Sequence, residues 1–120
     1  MQIWLKRAYD QPGPQDGCRV LVDRIWPRGV AKEEAVIDLW LREVAPSSEL
    51  RQWFGHEKEK WEEFRLRYFA ELDDRDEPVE RLLELVEEGR VTLVFGAADE
   101  EHNNAVALKE YLIPRRKDKS

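Results

Sequence analysis

Apolar and polar positions alternate over Gln2–Tyr9, where Ile3, Leu5 and Tyr9 stand against Lys6 and Arg7, and that period of two predicts a first strand. Asp10–Gly17 holds two Pro and two Gly and reads as a loop. In Arg19–Trp26 the run Val20-Leu21-Val22 is apolar at consecutive positions, as in a strand covered on both faces, and Pro27 and Gly29 stop it. The period then lengthens. Val36, Leu39, Trp40 and Val44 fall on one stripe, so Lys32–Ala45 is expected as a helix, with Glu33 and Glu34 at its positive end and Pro46 closing it. Ser47-Ser48 can cap a short helix through Trp53-Phe54, with Gly55 after its last turn. Glu57–Leu72 places Trp61, Phe64, Tyr68 and Leu72 on one face of a third helix. Pro78 suits the first turn of a fourth, whose Val79, Leu82, Leu83 and Val86 face inward before Gly89. Val91–Phe95 is a buried strand, Gly96–Glu101 a loop, and Asn103–Leu112 a last helix stopped by Pro114.

Two strands, several helices, a strand and a helix make an α/β order. The long helical crossover between the second and last strands favours a parallel relation. The expected fold is a small, mainly parallel sheet covered by helices in a Rossmann-like three-layer arrangement. An α+β domain, with the first two strands forming an antiparallel edge hairpin, fits the same pattern. Residues 1–114 are expected as one domain and 115–120 as a basic, disordered tail.

Composition sharpens this. A chain of 120 residues with 42% apolar content and five Trp is built to pack rather than stay disordered. Short apolar runs and a charged start predict neither a membrane span nor an export leader, hence a soluble cytoplasmic protein. The single Cys18 excludes an internal disulfide and a cysteine-built zinc site, and is expected as a small apolar filler. The net charge is −6, and thirteen acids against six bases in Glu57–Glu88 would repel a phosphate backbone, so nucleic acid is disfavoured as a partner.

In an open parallel sheet, ligands bind beyond the carboxyl ends of the strands. The second strand delivers Asp23, Arg24, Arg28 and Gly29 there, and the last delivers Gly96, Asp99, Glu101, His102, Asn103 and Asn104. If the two strands are parallel neighbours, these residues share one rim with the positive end of the last helix. Arg24 and Arg28 are then candidates to hold a small anion, such as a phosphorylated or carboxylated metabolite. Asn103 and His56 are further binding candidates. His102, oriented by Asp99 or Asp23, is the candidate acid, base or hydrogen-bond donor, with Asp23 beside it as the second catalytic candidate. Hydrolysis or group transfer is the reaction such a site would run. Each residue also has a structural reading: an Asp23–Arg24 ion pair, Arg28 on loop carbonyls, an Asn103 or Asn104 cap, His56 as a corner residue. Two other functions compete, a non-catalytic interaction module and a metal site of His56, His102 and a carboxylate. No metal-spacing motif, phosphate loop or nucleophile elbow is present, and the sequence names no cofactor.

The run Val22-Asp23-Arg24-Ile25-Trp26-Pro27-Arg28-Gly29 resembles the "DRLWPRG" signature of the YeaO-like branch of the family called domain of unknown function 488. Leu39-Trp40-Leu41, Ala45-Pro46-Ser47, Leu50-Arg51-x-Trp53-Phe54-x-His56, Tyr68, and Val91 through Leu112 extend the likeness over nearly the whole chain. The resemblance implies a compact α/β fold. It marks Asp23, Arg24, Arg28, His56, His102 and Asn103 as signature positions without giving them roles. Other branches carry Cys-His-Arg where this chain has Glu101-His102-Asn103, which implies that thiol chemistry is missing here.

Overall fold

The structure is a computed structural model that describes residues 3–116. Four parallel strands, β1 (Ile3–Arg7), β2 (Cys18–Leu21), β3 (Leu39–Trp40) and β4 (Val91–Phe95), form one sheet in the order β1-β4-β2-β3. The antiparallel hairpin does not form, because β4 lies between the first two strands. All five residues of β4 are buried, as a strand covered on both faces requires. The helices are α1 (Lys32–Ala35), α2 (Ser48–Phe54), α3 (Trp61–Asp73), α4 (Asp76–Glu88) and α5 (Asn104–Leu112). None of the helices among the described residues is long and apolar enough to cross a membrane.

The two faces of the sheet differ. On one, Ile3, Val20, Val22, Val91, Leu93 and Phe95 pack against side chains of α2, α3, α4 and α5 in one continuous core. On the other, Ala8, Leu21 and Val94 meet only Trp26, Val30, Ile37 and Trp40. The parallel sheet is covered on both sides as expected, but the third layer is loops and a single turn of helix.

One element departs from the periodicity. Lys32–Ala45 is not one helix: α1 ends at Ala35, Val36 sits at φ 49° with half of its surface exposed, Leu39–Trp40 is the edge strand β3, and Arg42–Val44 is a 3₁₀ turn. The cause is a buried arginine. Arg19 donates from Nη2 to the Ala35 carbonyl (2.8 Å) and from Nε to those of Ala35 and Val36 (3.1 Å each), the carbonyls a continuing helix would use. The Asp38 amide then donates to Arg19 O, the Arg19 amide donates to the Asp38 carboxylate, and Leu39 and Trp40 pair with Val20 and Leu21.

Smaller shifts follow local chemistry. Strand β2 stops at Leu21, although the Val22 amide still reaches Val94 O, so Asp23–Trp26 is irregular chain bent at Arg24 and Ile25 rather than strand. Lys58–Lys60 is a 3₁₀ lead-in to α3. Pro78 lies in the first turn of α4. Of the expected basic tail, Arg115 is tied back, bonding Tyr111 O (2.7 Å) with its guanidinium over the Tyr111 ring; residues 117–120, like Gln2 of the first strand, lie outside the described residues.

Candidate functional site

Adjacent strands β2 and β4 release the chain to opposite sides of the sheet, β2 into the loop-covered face and β4 through a turn into α5 on the helical face. A crevice opens between such diverging exits. Asp23 spans its floor. One carboxylate oxygen accepts the Gly96 amide at the end of β4 (2.9 Å), and the other accepts Asn104 Nδ2 (3.0 Å), which also donates to Val22 O (3.1 Å). Burial pushes the Asp23 carboxyl above its ordinary value, against the pull of the Asn104 and Gly96 donors and the Arg51 charge. The Asp23–Arg24 ion pair does not form. Arg24 instead makes three long bonds of 3.4 Å to Ala45 O and Pro46 O, at the outer limit for a hydrogen bond.

Asn103 is the N-cap of α5, accepting the Val106 amide (3.0 Å) and donating to Asp99 O (2.8 Å). That turn presents His102, whose Nδ1 lies 3.1 Å from Asp99 Oδ2 and whose ring stands edge-on to Trp61, 5.3 Å between centroids. The Glu101 amide foremost, with the His102 amide and imidazole, holds the Asp99 carboxyl below its ordinary value. An ionised carboxylate only accepts, so Nδ1 carries a proton and Nε2 is left without a partner among the described residues. His56 follows Gly55 at the end of α2, both in the left-handed region at φ 59° and 54°.

These residues surround a cavity of about 150 Å³. Asp23, Arg24, Arg51, His56, His102, Asn103 and Asn104 supply its polar lining, and Ile25, Ala45, Pro46, Phe54, Phe64 and Ala97 its apolar walls. Of the residues nominated from sequence, five thus meet: Asp23, Arg24, His56, His102 and Asn103. Asp99 stands behind His102. Arg28 lies elsewhere, exposed in the Pro27–Gly29 turn, with its carbonyl taken by the Tyr9 hydroxyl (2.9 Å). The periodicity reading overlooked Arg51 and the paired rings of Phe54 and Phe64, stacked at 4.5 Å. The stretch Leu50–His56 held the signal, since it sets an arginine and a histidine on either side of Trp53-Phe54-Gly55.

The lining contains no thiol, hydroxyl or amine. Cys18 begins β2 and so sits at the other end of the sheet, with burial pushing its thiol up. Among the described residues no group of three His, Cys, Asp or Glu is placed to hold a metal ion, so the metal reading gains no geometry.

The family described as "Inactive DUF488-N3 subclade" matches residues 2–120. The chain belongs to this DUF488 family. Two DUF488 relatives are uncharacterised proteins. Escherichia coli YeaO is 38% identical over 112 residues, covering 93% of this chain and 97% of YeaO. A Mycobacterium tuberculosis protein is 39% identical over 114 residues, covering 95% and 96% of the two chains. No solved structure matches this DUF488 chain.

Proposed function

We propose that this chain is a binding domain for a small anion held in the strand-end cavity. The observation that carries the reading is that Arg24 and Arg51 both line one small cavity and neither forms a salt bridge among the described residues. Arg24 is half-buried and Arg51 exposed at the cavity's edge, and an anion entering would meet charge-assisted hydrogen bonds from both. The positive end of α5, which starts at the cavity, adds field of the same sign. The lack of a thiol, hydroxyl or amine in the lining, together with the word "inactive" in the family description, supports binding without turnover. A second reading rests on the Asp99–His102 pair: with Nδ1 fixed by Asp99, Nε2 is placed to take a proton from a water, as hydrolysis would need.

Thermal unfolding against inorganic phosphate and small carboxylates tests both readings. A ligand at about 100 times its dissociation constant stabilises by about 2.7 kcal/mol. The shift should vanish in Arg24→Gln/Arg51→Gln and persist in Arg28→Ala. Loss in Arg28→Ala alone would overturn this placement of the site. No shift with any anion would turn the assignment to the interaction module. Turnover of an ester that His102→Ala abolishes would replace binding with hydrolysis.

A further inference from the structure

We propose that the ligand is a small zwitterion, of the class of α-amino acids with short apolar side chains: its carboxylate meets Arg24 and Arg51, and its ammonium meets Asp23. This rests on the anion reading above and narrows it. The first support is volume. A cavity of about 150 Å³ holds a benzene-sized molecule, and drug-sized ligands need roughly twice that or more. A nucleotide or a bulky phosphorylated metabolite would extend out of it.

The second support is the sign pattern. A site for a simple anion would line itself with donors alone, yet this one has a carboxylate among its lining groups. Asp23 uses two of its roughly four acceptor positions, one for Gly96 and one for Asn104, and makes no salt bridge. This half-buried carboxylate feels the Arg51 charge but has no cation within salt-bridge distance among the described residues, and an ammonium group in the cavity would supply that direct partner. The same carboxylate would repel a dianion. A molecule positive at one end and negative at the other satisfies Asp23 and the arginines together. Between the two poles the walls are Ile25, Pro46, Phe54 and Phe64, which accept a branched aliphatic group and offer it no hydrogen bond.

Calorimetric titration of the full chain with L-valine, isovalerate, isobutylamine and inorganic phosphate tests the inference, because the second and third probes each lack one pole of the first. Valine should bind at least about tenfold tighter than isovalerate, the worth of one charge-assisted hydrogen bond. Asp23→Asn should erase that ratio. Arg51→Gln, on an exposed position, should weaken valine and isovalerate together and keep the ratio, which leaves the test intact if Asp23→Asn does not fold. Isovalerate or phosphate binding as tightly as valine would overturn the zwitterion and leave the anion reading standing. Isobutylamine binding as tightly as valine, or no binding by any of the four, would overturn both.

Discussion

Two aspartate–arginine neighbourhoods in this molecule do opposite things. On the loop-covered face, Asp16 and Arg19 are each 3% exposed and joined at 2.7 Å. Asp16 also takes the Lys6 ammonium and the Gly13 amide, while Arg19 fastens the end of α1. Nearly every donor and acceptor there is used. At the strand-end cavity, Asp23 and Arg24 are adjacent in sequence yet not paired with each other, the Arg24 side chain makes only long bonds, and the Arg51 side chain makes none among the described residues. Saturated charges hold a fold together; the charges at the cavity are left without such partners. Counting bonds per charged group therefore separates the two neighbourhoods where residue type alone does not.

The sharpest way to break the comparison is Arg19→Leu. It removes the buried cation from Asp16, leaving Lys6 and the Gly13 amide, strands the Ala35 and Val36 carbonyls, and should cost about 3–5 kcal/mol in urea unfolding. A loss near zero would mean that the saturated cluster stabilises no more than the open one. Next comes acid titration of stability. For Asp16 burial works against ionisation, but the Gly13 amide, Lys6 and Arg19 outweigh it and hold the carboxyl below its ordinary value. Its contribution is present above the unfolded carboxyl value and is lost as pH falls through the lowered one. Asp23 is raised, chiefly by burial, so the folded state binds more protons and stability falls as pH rises from the ordinary carboxyl value through the raised one. Asp16→Asn should flatten the acid loss, and Asp23→Asn should remove a decline of opposite slope; unfolding midpoints across the acid range that moved in the same direction would contradict the contrast. The smallest effect is on Arg51→Gln, expected to change stability by less than about 0.5 kcal/mol. A larger loss would place Arg51 among the fold's own fasteners.

What the sequence revealed depended on how local the cause was. β4 and the helices α2 to α5 are legible because their apolar positions alone decide which faces are buried. That Asp23, His102 and Asn103 lie near one another was legible because strand ends and the following helix are fixed by order along the chain. Lys32–Ala45 was not, since Val36, Leu39, Trp40 and Val44 satisfy a helical stripe equally well. What broke that helix is a distant Arg19 capturing its carbonyls, and no local pattern records this. Arg28 misled for a related reason. Four residues past Arg24, its direction is set by the Pro27–Gly29 turn, where Gly29 adopts φ 78°, and not by the strand it follows. Arg51 reaches the cavity only through the packing of α2 against α3, a tertiary contact that periodicity does not contain.

The strand order also bears on how the protein is made. β1 pairs only with β4, so Ile3 meets Val91 and Arg7 meets Phe95 across nearly the whole length of the described chain. Closing so long a loop is entropically slow, and sheets dominated by distant pairings assemble late. During synthesis on a ribosome, which extends chains N-terminus first, β1 and its exposed Trp4 have no strand partner until residues 91–95 have left the exit tunnel. Helices α3 and α4, whose turns close over a few residues, can form in that interval. The first strand waits for the last, and a nascent chain halted before Val91 is left with an unpaired β1 and one bare edge of β2.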